Sequence, residues 1–142
     1  MDERYQLVEG PPSVEDYVAL RASSGLRPKR LDQAAAGIDG AWAAAHVVER
    51  STGKTVGMGR CLGDGGWYFH LIDMATLPEH QRRGIGSAVL SYLIGTIDAE
   101  APEGAFISLL ADAPGRPLYE RFGFTDTTSL GMALRRTTPA TR

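Results

Sequence analysis

Gln81-Arg82-Arg83-Gly84-Ile85-Gly86-Ser87 joins two segments of different hydrophobic period. Before it, Trp67 to Thr76 is the most apolar run of the chain and reads as a central strand, ended by Pro78. After it, Ile85, Val89, Leu93 and Ile97 recur every fourth residue, with Ala88 and Tyr92 beside them, which predicts an amphipathic helix. The joining loop is basic first and glycine-rich second. First-turn N–H groups of a helix have no intrahelical partner and carry the positive end of the helix dipole. An anion placed there accepts several of them at once. Gly84 and Gly86 let the backbone approach an oxygen without a Cβ between, and Arg82 and Arg83 can add charge-assisted bonds. On these residues alone, a plain helix start with two solvated arginines is equally consistent. Two familiar phosphate motifs do not fit. The residue three after Gly86 is Val89, where a dinucleotide fingerprint needs glycine, and no Gly-Lys-Ser/Thr is present.

Working outward, Arg4 to Glu9 reads as a first strand broken by Gly10-Pro11-Pro12. Ser13 is placed to cap a helix with Glu15 and Asp16 in its first turn. A basic loop, Leu26 to Arg30, leads to a short Ala-rich helix over 31–38. Trp42 to Glu49 and Thr55 to Leu62 form a hairpin around Ser51 to Lys54. Beyond the long helix, Phe106 to Leu110 is a continuously apolar strand, Pro114 to Phe122 a short helix, and Phe124 to Leu134 one or two final strands. Residues from about 136 to 142 have no apolar period and read as a loose tail. The expectation is a single α/β domain over residues 1–142.

The 142 residues are 43% hydrophobic and 23% charged, enough for one core without a staple. Net charge is -2, so no basic field points to nucleic acid or a membrane surface. A lone cysteine, Cys61, cannot form an internal disulfide, and with three histidines no metal site is expected. The N-terminal residues lack the apolar core of a signal peptide, and no run approaches a membrane span, so a cytoplasmic location is the default expectation.

Met74-Ala75-Thr76-Leu77-Pro78-Glu79-His80-Gln81-Arg82-Arg83-Gly84-Ile85-Gly86-Ser87-Ala88-Val89-Leu90 resembles the Q/R-x-x-G-x-G/A motif of the GNAT superfamily of N-acetyltransferases, in its setting after a strand that ends near a proline. Leu118-Tyr119-Glu120-Arg121-Phe122-Gly123-Phe124 is similar to the L-Y-E-x-x-G-F segment near the C-terminus of many members. The resemblance spans roughly residues 4 to 134, the first third in pattern only. It implies a GNAT fold, with a mixed central sheet of six to seven strands, a fourth and fifth strand that splay apart, and about four flanking helices. It implies acetyl-coenzyme A as cofactor, with the pyrophosphate on Gln81, Arg82, Arg83, Gly84, Ile85, Gly86 and Ser87 and the pantetheine arm along backbone of Met74, Ala75 and Thr76. Thr76 stands where Val is common. Asp112 stands where Asn is common, and an ionised Asp cannot donate to the cofactor arm as Asn does.

The resemblance further implies transfer of the acetyl group to a primary amine, directly and without a covalent acetyl-enzyme. Tyr119 matches the tyrosine that protonates the leaving thiolate; the alternative is a packing tyrosine. His70 stands at the distance before the loop where members place a base, Asp73 is its rival, and a water relay is the third option. The backbone N–H near Ala75 is the expected oxyanion donor. His80 reads as surface and His46 as structural. Cys61 reads as a packing residue. The first helices supply Tyr17, Arg21, Leu26 and Arg27 as acceptor-binding candidates, with a small-molecule amine as the expected partner and homodimerisation left open. Trp42, Trp67 and Tyr68 could line a pocket floor but more often belong to a core. The other functions that remain are a non-catalytic coenzyme A-binding sensor module and a protein lysine or N-terminal acetyltransferase.

Overall fold

A computed structural model describes residues 1–136. The expected loose tail lies outside the described residues from 137 onward. Contacts divide the chain into two compact units, residues 1–109 and 110–142.

The first unit is a five-stranded sheet in sequence order: β1 (Tyr5–Glu9), β2 (Ala43–Glu49), β3 (Thr55–Gly63), β4 (Tyr68–Thr76) and β5 (Phe106–Leu109). The first four strands pair antiparallel and β5 joins β4 in parallel, so the sheet is mixed. Helix α1 (Val14–Ser23) starts where Ser13 Oγ accepts the N–H of Asp16 at 3.1 Å, and Glu15 and Asp16 occupy its first turn. Helix α2 (Leu31–Gly37) follows the basic loop. Helix α3 (Ile85–Glu100) buries Ile85, Val89, Leu90, Leu93 and Ile97 against β2 and β3. Gly59 makes that approach possible, because a Cβ there would lie 2.7 Å from Val89 Cγ1.

The ladder between β3 and β4 slips once. Met58 pairs with Ala75 but Arg60 pairs with Ile72, so β4 carries one extra residue. Asp73 sits in that bulge in a left-handed conformation, φ 60°. Beside the bulge the sheet opens. β5 pairs with β4 only from Tyr68 to Leu71, while β4 runs on to Thr76.

In the second unit a 3-10 turn, Ala113–Gly115, leads into α4 (Arg116–Arg121). Gly123, at φ 93°, ends that helix, and Phe124 N–H bonds the carbonyl of Tyr119. Arg116 reaches Glu120 and Asp126. Among the described residues the sheet has five strands, against the six to seven expected, and none is formed over 124–134. A strand exists only through its ladder partner, and this stretch has none within its unit.

Candidate active site

The loop between β4 and α3 has the backbone of an anion cradle. Arg82 (φ 62°) and Gly84 (φ 82°) both lie in the left-handed region, and Gly84 is the residue that opens α3. Left-handed turns of this kind aim successive N–H groups toward one point. Gln81, Arg82, Arg83 and Gly84 are exposed, Ile85 is buried in the core, and Gly86 and Ser87 are half-exposed. The Gln81 side-chain amide donates to the Thr76 carbonyl at 3.4 Å, tying the loop to the end of β4. A solvent-facing helix start of 16 residues, flanked by two arginines, fits a pyrophosphate. Met74 and Thr76 are half-buried and Ala75 is buried, on the length of β4 that runs past the end of β5.

His70 lies one position before the β4–β5 ladder ends, register partner to Ser108. Its Nδ1 is 2.8 Å from Ser108 Oγ, and that hydroxyl donates to the Phe69 carbonyl at 3.4 Å. The Ser108 hydroxyl thus lies between the His70 ring and the Phe69 carbonyl and holds the imidazole by Nδ1. Burial holds the imidazole pKa below its ordinary value.

Asp73 is engaged on both oxygens. Tyr17 Oη donates to Oδ2 at 2.8 Å, Arg60 Nε to Oδ2 at 2.7 Å, and Arg21 Nη1 to Oδ1. All four side chains are buried or nearly so. Arg60 also donates to the Gly37 carbonyl at 2.7 Å and stacks over the Tyr17 ring. Arg21 donates from Nε and Nη2 to the Arg27 carbonyl at 3.0 and 2.8 Å. One carboxylate thus ties α1, the loop after it, the end of α2 and β3 to the bulge of β4. Burial, then the Asp73 charge, raises the Tyr17 pKa. The acceptor-binding candidates Tyr17 and Arg21 spend these polar groups inside the protein. Leu26 is half-buried, and the Arg27 side chain is exposed.

Sequence reasoning missed Arg60 and Ser108. The signal was present for both, since a charged or hydroxylic residue inside an apolar strand needs a buried partner. His80, expected at the surface, is buried: its Nδ1 is 2.7 Å from the Tyr5 hydroxyl, and the rings meet edge to face. The short turn Pro78–His80 folds it inward. His46, expected to be structural, has Nδ1 2.8 Å from the Gly10 carbonyl. Trp67 and Tyr68 are exposed, so neither is core. Cys61 is fully buried, and burial pushes its thiol pKa up to about 11.

In the second unit, Tyr119 packs over Gly115, where a Cβ would lie 3.1 Å from its ring, and meets Phe124 edge to face. Burial, and secondarily the charge of Asp112, raises its pKa. Asp112 itself is exposed, and its carbonyl accepts the N–H of Gly115.

Residues 41–126 match the family model of the acetyltransferase (GNAT) domain. No curated protein matches the chain. Among solved structures, a Staphylococcus aureus protein of unknown function, described as a probable acetyltransferase, is 33% identical with a TM-score of 0.88, over 93% of this chain and 99% of that one. Two structures share the fold at lower identity. One is glucosamine-6-phosphate N-acetyltransferase from Arabidopsis thaliana (15% identity, TM-score 0.69, 94% of this chain and 99% of that one). The other is the ribosomal-protein-S18-alanine N-acetyltransferase from Escherichia coli (18%, 0.70, 87% and 80%). With a domain match over more than half its length and a close structural relative across nearly all of it, the chain belongs to the GNAT acetyltransferase family.

Proposed function

We propose that the protein moves the acetyl group of acetyl-coenzyme A directly to the primary amine of a small molecule. The observation that carries this reading is the loop Gln81 to Ser87, with left-handed Arg82 and Gly84 opening the long helix α3 beside a strand that outruns its neighbour. The cofactor supplies the thioester when bound. Backbone N–H groups of the loop hold its pyrophosphate, with Arg82 and Arg83 adding charge. Met74, Ala75 and Thr76 offer backbone to its arm.

His70 is the proposed base. Its depressed pKa keeps it neutral near pH 7, and with Nδ1 held by Ser108 the nitrogen proposed to take a proton from the acceptor ammonium is Nε2. Asp73, with its oxygens taken by Tyr17, Arg21 and Arg60, is a positioning residue in this reading and not a base. Tyr119 is the proposed acid toward the leaving thiolate, on the strength of the L-Y-E segment; a phenol with a raised pKa stays protonated for that task. Cys61 favours direct transfer, because a buried thiol with a pKa of about 11 is no nucleophile at neutral pH.

The solved structures of this fold include an enzyme named for a sugar-phosphate amine and one named for a protein terminus. The small acceptor is preferred here because the loop after α1 is pinned by Arg21 through the Arg27 carbonyl, whereas a polypeptide needs an open groove. Calorimetric titration with acetyl-coenzyme A, followed by thiol-release assays over a panel of small amines and peptides, tests the proposal. Saturable binding with turnover on a small amine is expected. Binding without turnover on any acceptor would make the chain a coenzyme A-binding module, and turnover on peptides alone would move the acceptor to protein. Gly86→Asp places a carboxylate at the phosphate position and is expected to abolish binding with the circular dichroism unchanged; retained affinity would remove the loop from the site.

A further inference from the structure

Buried charge does not balance at the bulge of β4. Arg21 and Arg60, with side chains 11% and 10% exposed, share one carboxylate, Asp73, and among the described residues no second acid pairs with either. Tyr17 donates a hydroxyl proton to the same carboxylate and brings no charge. Two guanidinium groups thus face one acid, and one positive charge is left over. A charge withdrawn from water is costly unless a counter-charge meets it.

The donors of the cluster are not all spent. Arg21 uses Nε and Nη2 on the Arg27 carbonyl and Nη1 on Asp73, so each of its nitrogens is engaged. Arg60 uses Nε on Asp73 and Nη1 on the Gly37 carbonyl, and its Nη2 bonds nothing among the described residues. No buried side-chain nitrogen or oxygen among those residues lacks a partner, so Nη2 is the corner of the guanidinium that reaches the surface of the first unit. Arg27 is anchored to the same cluster through its carbonyl, while its side chain is exposed and makes no ion pair among the described residues. Arg30, in the same loop, is held by Asp32. The cluster also stands in a telling place on β4. Asp73 lies past the last β4–β5 pair, Leu71 with Leu109, and directly precedes Met74.

We propose that the acceptor amine also carries a carboxylate, which Arg60 Nη2 and the Arg27 guanidinium hold; this rests on the acetyl-transfer reading above. One carboxylate brings the buried cluster to two acids against two guanidinium groups, a balance that a phosphate dianion would overshoot. The exposed Arg27 is solvated in the free protein and needs no counter-charge of its own, yet it offers a planar fork matched to a carboxylate. Nη2 adds a charge-assisted donor at a partly buried place, where salt screens little. Fixing the acid end orients the amine for attack, and a polyamine without an acid meets like charge instead.

Acceptor selection tests the proposal. Thiol release with acetyl-coenzyme A is measured for α- and ω-amino acids, each against its carboxamide and against the aminophosphonate of the same length. The best amino acid is expected to exceed its amide in kcat/KM by about 100-fold or more, chiefly through KM. Arg27→Gln is expected to remove about tenfold of that ratio by raising KM for the acid. Arg60→Lys keeps a charge beside Asp73 but removes Nη2, and it is expected to act in the same direction, with circular dichroism reporting that the fold survives. Amides used as well as acids, phosphonates preferred to carboxylates, or a ratio that both substitutions leave intact would each overturn the proposal while acetyl transfer stands. Thermal unfolding without acetyl-coenzyme A reads the same site with no turnover: amino acids are expected to raise the midpoint, their amides are not, and Arg27→Gln is expected to weaken the effect. If acetyl-coenzyme A does not bind, the acetyl-transfer reading falls by itself, and this thermal series still decides the carboxylate site, since equal midpoints with acids and amides would overturn it.

Discussion

His70 titrates from surroundings that disfavour its charged form. Burial lowers its pKa, and the direction has two consequences. If Nε2 is the base, the acid limb of kcat/KM lies below the ordinary histidine value of about 6.5. His70→Gln is then expected to remove that limb and lower kcat about 100-fold, read from a pH–rate profile; an unchanged limb would hand the step to a water relay. For stability, the unfolded chain takes up the proton first as the pH falls. The contribution of a neutral His70 is therefore full above the ordinary value and is lost between that value and the depressed folded one. Ser108→Ala removes the hydrogen-bond partner of Nδ1, and a shift of the same limb with KM for acetyl-coenzyme A unchanged is the expected sign that Ser108 positions the imidazole. Tyr119→Phe is expected to lower kcat more than cofactor affinity in stopped-assay and calorimetric measurements; wild-type turnover would leave Tyr119 as packing over Gly115. The histidines were legible by position but not by environment. His80 follows a proline and reads as polar turn, and only the fold reveals Tyr5, 75 residues earlier, over its ring nitrogen.

At the scale of elements, the bulge of β4 is the junction on which the first unit is organised. Its inserted residue, Asp73, holds Arg21 and Arg60 together at a place where neither charge faces water freely. Removing one member of a buried ionic cluster costs about 3–5 kcal/mol, because the others stay buried and unpaired. Asp73→Asn is expected to lower the denaturation midpoint on that scale, and urea unfolding measures it; a loss within error would mean that water reaches the cluster. Gly59→Ala is a packing test of the face opposite α1: a Cβ there meets Met74 and Val89, and a cost of about 1–3 kcal/mol is expected from thermal unfolding. Helix α3 was readable in advance, since Ile85, Val89, Leu93 and Ile97 are its buried stripe. The bulge was not. Period-two reading assumes an uninterrupted pleat, and a left-handed aspartate in mid-strand leaves no mark on hydrophobicity. Arg60 was readable only in principle, as a charge between Gly59 and Cys61 that had to find a partner.

For the whole molecule, local pattern and long-range pairing part company. The meander from β1 to β4 follows chain order and was legible from alternation and turns. The stretch from Phe124 to Leu134 has strand periodicity too, but a strand is defined by its neighbour, and nothing within one sequence names that neighbour. Cys61 has a consequence of a different kind. It is the only thiol in the chain, fully buried and with a pKa near 11. A disulfide reagent that reports free coenzyme A should therefore see little background from the folded protein. The same reagent should gain one equivalent of colour per chain only on unfolding, so a single assay can count both turnovers and denatured molecules.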